Sequence, residues 1–194
     1  MSKILDITEN HLKILSLYTK GYSHEYYIRE ICRHVPVSHG SAHNILRSLE
    51  EKGVFDSETK GRNKVFRLKK TIVAANHLLL AESYKRLKFS ENYPLTDEIL
   101  FRLMPAFDCP LALFGSYSSG EATEYSDIDL FAVGNFDKTE VEKISKKYKI
   151  EINVKKYQKE LFLRCLKDDY LIKEMYNNHV YLKCPEFFLY GGLL

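Results

Sequence analysis

The sequence predicts a mixed α/β (α+β) protein in two parts, and three observations predict it. Three helical runs followed by a strand pair around a basic turn occupy the first seventy residues. Further along, two apolar strand-like runs, "LALF" and "DIDLFAV", flank a turn rich in glycine and serine. A leucine-striped helical stretch, "TIVAANHLLLAESYKRLKFS", stands between the parts, so the expected organisation is 1–70, a connecting helix over 71–90, and 91–194. At 194 residues, 45% hydrophobic and 28% charged, the chain has room for two modest cores.

The first helix is expected from about Thr8 to Lys20, where Leu12, Ile14, Leu15 and Leu17 recur at near-helical spacing before Gly21 stops the run. Ser23 then opens "SHEYYIREICRHV", read as a second helix with Tyr27, Ile28, Ile31 and Cys32 on one face. After the break at "PVS", Ser38 can cap a third helix to Lys52, with Ile45, Leu46 and Leu49 as its core stripe and Gly53 as its stop. "VFDSE", "TKGRN" and "KVFRLK" follow as two short strands around a basic loop.

Charge is divided unequally along the chain. Residues 1–70 carry 13 Lys and Arg against 8 Asp and Glu, whereas 71–194 carry 16 against 18. The basic excess falls where a nucleic-acid contact would be sought. The order of three helices and a hairpin, with the stretch "VSHGSAHNILRSLEEKGVF", resembles the winged helix-turn-helix family over about the first 70 residues. That resemblance implies a DNA-binding domain whose third helix enters the major groove, with His39, Ser41, His43, Asn44 and Arg47 near bases or phosphates. Lys60, Arg62 and Lys64 at the hairpin tip would contact the DNA backbone. Winged helices also serve as protein-binding modules, and those that read DNA commonly act as homodimers.

Cys32, Cys109, Cys165 and Cys184 are widely spaced, with no Cys-x-x-Cys pair, and read as reduced, mostly buried thiols. "MSKILDITENHLK" has no uninterrupted apolar core of the signal-peptide kind, and the most hydrophobic region is broken by Arg102, Pro105 and Asp108. A cytoplasmic protein without a membrane partner is expected.

In the second part a helix around Asp97 to Phe107 precedes the strand "LALF". In the strand that follows the turn, Asp127 and Asp129 point one way and Ile128 and Leu130 the other. Two carboxylates side by side repel unless a cation lies between them, and hard oxygen ligands select Mg2+ or Mn2+. The preceding turn suits a phosphate. Gly115 lets the backbone approach closely, Ser116 offers a hydroxyl and an amide, and Gly120 allows a tight bend. Tyr117, Ser118 and Ser119 are weaker phosphate candidates, and Ser126 is placed to cap or orient the pair. The lysines of "DKTEVEKISKKYK" read first as a solvated helix face, and His179 as the residue that ends a helix and enters a final strand.

Gly115-Ser116, ten intervening residues and then Asp127-Ile128-Asp129 resembles the signature of the DNA polymerase beta-type nucleotidyltransferase superfamily, and in spacing its minimal, antitoxin-like branch. The resemblance implies a mixed sheet flanked by helices, Asp127 and Asp129 as metal ligands, and nucleotide binding at Gly115, Ser116 and Ser126. It also implies a third acid from a later strand; "KIEINVK" offers Glu151, as metal ligand or as base. The implied chemistry is Mg2+-dependent transfer of AMP from ATP to a tyrosine of a HEPN-type toxin. The winged helix departs from that minimal pattern. Two functions therefore stand side by side: a protein adenylyltransferase that also binds DNA, and a transcription regulator whose nucleotidyltransferase domain binds a nucleoside triphosphate or a partner without turnover.

Overall fold

The computed structural model of the chain describes residues 6–193; the segment read for a leader begins outside the described residues, as does Leu194. The chain divides into two compact units, one formed by the N-terminal residues to Tyr84 with the extreme C-terminus, the other by Lys85–Gly192. The division falls inside one helix, α4 (Ile72–Asn92), rather than at its end.

The N-terminal unit runs α1 (Glu9–Leu17), β1 (Glu25–Tyr27), α2 (Ile28–His34), α3 (His39–Glu51), β2 (Phe55–Lys60) and β3 (Asn63–Leu68). Ser38 caps α3, its hydroxyl accepting the amide of Ser41 at 3.2 Å. Ala42, Ile45, Leu46 and Leu49 then line the buried face at the helical repeat. The hairpin closes through the two residues Gly61 and Arg62, and Gly61 takes φ 65° as such a tight turn requires. The strands therefore extend through the loop expected at "TKGRN". A second difference lies at "EYY", expected as helix, which forms β1 against β3 in a sheet ordered β1-β3-β2. Tyr26 and Tyr27 favour an extended backbone, and pairing with β3 supplies the hydrogen bonds that a helix would otherwise provide. Tyr18 is buried against this sheet, its ring 4.5 Å from Phe55 and its hydroxyl donating to the Phe66 carbonyl.

The C-terminal unit is a four-stranded sheet ordered β6-β5-β4-β7, from β4 (Leu111–Phe114), β5 (Ile128–Val133), β6 (Ile152–Tyr157) and β7 (Val180–Lys183). β4 is antiparallel to β5 and β7, whereas β5 and β6 are parallel and joined across α7 (Lys138–Tyr148). The sheet is mixed, as the sequence predicted. Ile128, Leu130 and Ala132 of β5 pack with α5 (Pro94–Leu103) and α7 on one face. Phe131 faces the other way, onto Phe162 of α8 (Lys159–Cys165) and Phe188 of α10 (Pro185–Leu193). Between those helices, α9 (Tyr170–Asn177) buries Ile172 and Met175. α5 starts at Pro94, three residues before the expected Asp97, because proline is well tolerated in a first helical turn.

Of the four free cysteines only Cys109 is buried, and Cys184, in the left-handed turn between β7 and α10, is exposed, against the expectation of mostly buried thiols. No helix among the described residues is long and apolar enough to cross a membrane.

Phe131 is wholly buried among Phe114, Tyr157, Phe162 and Phe188. Phe131→Ala is expected to cost the C-terminal unit about 3–5 kcal/mol. Equilibrium urea unfolding followed by circular dichroism measures it, and a loss below about 1 kcal/mol would mean that the aromatic cluster collapses into the cavity.

Candidate functional site

The antiparallel register pairs Phe114, the last residue of β4, with Asp129. The chain leaves β4 through Gly115 directly beside that carboxylate and enters the single helical turn α6 (Ser116–Ser119). Gly115 has φ 71° and ψ −152°, a region that residues with a side chain avoid. A Cβ there would lie 2.6 Å from Oδ2 of Asp129. Glycine is thus required twice, by the backbone angle and by the approach of the carboxylate.

Asp129 is half-buried and Asp127, one residue before β5, is exposed, while Ile128 and Leu130 between and beyond them are fully buried. The alternation puts both carboxylates on one side of the strand. Burial pushes the Asp129 carboxyl above its ordinary range, and the Asp127 charge adds to the shift; a hydrogen bond from Asn153 and the charge of Lys155 oppose it.

The candidate third acid stands just before the neighbouring strand. In the parallel register Asp129 faces Asn153, and Ile128 donates its amide to the Glu151 carbonyl at 2.9 Å. Glu151 therefore precedes β6, exposed and level with Asp127. Among the described residues no three His, Cys, Asp or Glu side chains group to hold a metal, so Asp127, Asp129 and Glu151 do not close into a three-ligand set. The physical reason is register: the side chain beside the inner carboxylate is an amide. Asn153 and Lys155 alternate with Glu151 along "KIEINVK", and that period of two is the sequence signal that puts all three on one face of the strand.

The turn residues separate by their partners. Ser116 is half-buried and its hydroxyl makes no hydrogen bond among the described residues, which leaves it free for a ligand. Ser118 donates to the carbonyls of Gly115 and Asn178, and Ser119 to the Ser116 carbonyl and to Glu121. Tyr117 is buried edge-on against Tyr93 and Phe89 and holds the turn to the core. The Ser126 hydroxyl accepts the Thr123 amide at 2.9 Å, so it shapes the loop that leads into Asp127. Gly120 takes φ 82° with open space around it. His179 is buried and stacked at 4.1 Å on Tyr181 of β7, with its Nε2 3.0 Å from the Lys85 ammonium. On α7, Lys138 and Lys143 pair with Glu142 and Glu140 along an exposed face.

In the N-terminal unit His43, Asn44 and Arg47 lie exposed on α3, and the Ser41 amide is taken up by the Ser38 cap. Arg47 pairs with Glu51, Lys60 with Glu25 and Lys64 with Glu50, while Arg62 makes no ion pair among the described residues. Ion pairs at the surface of this kind are weak because water screens them, so they do not tie up the cations.

Two outcomes follow from the Gly115–Asp129 contact and its charge. Because the folded state raises the Asp129 carboxyl above its ordinary value of 3.8, the folded protein holds the proton more tightly, and stability falls as pH rises through that window. Asp129→Asn is therefore expected to raise Tm without added cation at pH 7, with the gain vanishing below about pH 3.8. Thermal scans across pH measure it, and a variant less stable than the parent at pH 7 would contradict the sign. Gly115→Ala is expected to lower Tm more than Gly120→Ala, since both take positive φ but only Gly115 has Asp129 against it.

Residues 100–178 match the family model described as nucleotidyltransferase domain. No curated protein matches the chain. Among solved structures the chain is similar to AF1382 from Archaeoglobus fulgidus, at 25% identity and a TM-score of 0.34 over 42% of this chain and 87% of that one. It is also similar to TrmBL2, described as an archaeal chromatin protein with a novel mode of DNA binding, at 13% identity and a TM-score of 0.30 over 89% of this chain and 71% of that one. The family match and the mixed sheet with its Gly-Ser turn agree: the C-terminal unit has the polymerase beta-like nucleotidyltransferase fold, and the chemistry of that domain is transfer of a nucleotidyl group.

Proposed function

We propose that the protein transfers AMP from ATP to a hydroxyl of a partner protein, with Mg2+ as the working cation, and binds DNA through its N-terminal unit. The observation that carries the first half is the aspartate pair beside a glycine-lined turn, where the backbone comes close enough to Asp129 to leave no room for a Cβ. The residues fit a divalent ion of the magnesium type, which takes one or two carboxylates and completes its shell with substrate phosphates and water. Asp127 and Asp129 would hold it, and it would neutralise charge on the phosphates.

The acceptor hydroxyl attacks the α-phosphorus; its bond to phosphorus forms as the α–β phosphoanhydride breaks, and pyrophosphate leaves. The free hydroxyl of Ser116 and the amides at the start of α6 receive phosphate oxygens. Lys155, on the site face of β6, adds positive charge to a triphosphate. Glu151, exposed and level with Asp127, suits the role of base toward the acceptor proton better than that of a third ligand. A macromolecular acceptor is in keeping with the short length of the C-terminal unit, 108 residues from Lys85 to Gly192, and a HEPN-type toxin is the partner that the resemblance suggests.

The order helix, strand, two helices and hairpin, with a basic excess, supports a winged helix-turn-helix that places α3 in the major groove, as a homodimer on DNA. A second reading is favoured by one observation: Asn153, not an acid, lies beside Asp129. It makes the protein a regulator that binds nucleotide without turnover.

Incubation with labelled ATP, Mg2+ and the product of an adjacent gene, followed by intact mass, tests the first reading. A gain of one AMP on the partner, lost in the variant carrying Asp127→Asn and Asp129→Asn, is expected. ATP binding with no gain on either protein would establish the regulator instead. For the DNA half, Arg47→Ala or Arg62→Ala is expected to lower the salt slope of binding by about one each. Unchanged slopes in both would identify a protein-binding winged helix.

A further inference from the structure

The N-terminal unit contains a concave cleft of about 490 Å3 formed by the β1–α2 junction, the first residue of α3 and the hairpin tip. Its charged lining is Arg29, Arg33, Arg62, Lys64, His39 and a single acid, Glu30. Arg29, Arg33 and Arg62 are exposed and make no ion pair among the described residues. The acid is already engaged, its Oε2 accepting the Tyr27 amide at 2.8 Å. Lys64 is shared with Glu50 on the rim. Three arginines without an ion pair among the described residues therefore line one hollow.

A set of guanidiniums suits an anion that offers several oxygens at once, because each planar fork can take two oxygens in a bidentate pair. A DNA phosphodiester carries one charge and meets a protein on an open surface. The cleft is concave, lies in the size range of small-ligand pockets, and its lining carries four full positive charges against one negative. We propose that it is a binding site for a compact polyphosphate anion, of the class that includes pyrophosphate and the triphosphate tail of a nucleotide.

A consequence rests on the DNA reading given above. Arg62 and Lys64 line the cleft and also belong to the hairpin tip expected on DNA, so the anion and the duplex compete for them. Pyrophosphate is released by nucleotidyl transfer, and its capture here would loosen DNA when the C-terminal unit turns over.

The test is isothermal titration of the full chain with inorganic pyrophosphate, with EDTA present so that the aspartate pair has no cation with which to hold it. A one-to-one complex is expected, weakened at least tenfold by Arg29→Ala with Arg33→Ala and unchanged by Asp127→Asn with Asp129→Asn. Both arginines are exposed on α2, so the variant should fold, which circular dichroism checks. No heat beyond that of a chloride titration matched in ionic strength, or equal affinity in the arginine variant, would overturn the site. A labelled duplex then separates the two sources of phosphate. Displacement of DNA by pyrophosphate from the parent, but not from the arginine variant, supports the competition; loss of duplex binding by the arginine variant without any pyrophosphate binding to the parent would make the cleft a DNA contact only and overturn the proposal. A parent that binds pyrophosphate but no duplex would refute the DNA reading and leave the anion site standing.

Discussion

The candidate site depends on one close approach: Gly115 against the carboxylate of Asp129. It arises because β4 ends opposite Asp129 in an antiparallel pair, so the chain must turn away beside a charged side chain rather than beside an apolar one. Only glycine allows both the turn and the distance. Everything around the turn serves to hold it: Tyr117 ties it to the core, Ser118 and Ser119 satisfy its carbonyls, and Ser126 shapes the loop that returns to Asp127.

The electrostatics of that region are unfavourable until a cation arrives. Asp129 is partly removed from water and lies near a second carboxylate, and both effects favour its proton. Asn153 and Lys155 moderate this from the neighbouring strand without cancelling it. In the proposed reading, such a site would trade stability of the empty fold for affinity toward a divalent ion and the phosphates that accompany it. An amide beside Asp129 keeps that trade smaller than a third carboxylate would, since it donates a hydrogen bond and adds no charge.

The N-terminal unit follows the opposite logic. Five of its cations, Lys13, Arg47, Lys60, Lys64 and Arg67, are held by ion pairs at the surface among the described residues, an arrangement that water screens and that adds little to stability. In the cleft beside the hairpin tip, three arginines have no such partners among the described residues. In the readings proposed above, the two units would meet phosphate by different means, one through a cation held by carboxylates and the other through guanidinium groups.

Much was legible in the sequence because it rests on local rules. Ser38 as a cap, the Ala42 to Leu49 stripe, the strand "LALF", the alternation around Ile128 and the need for glycine at 115 all follow from periodicity and backbone sterics over a few residues. What escaped the sequence depends on partners distant in the chain. "EYY" became a strand only because β3 lies alongside it. Glu151 stood out as the acid of its segment, yet strand register set Asn153 against Asp129, and register is decided by how the Ile128, Leu130 and Ala132 face packs against its helices. The basic residues of the cleft lie 35 positions apart, from Arg29 to Lys64, so their convergence is a property of the folded unit. Sequence determined which chemistry was present; tertiary packing decided which side chains stand close enough to share it.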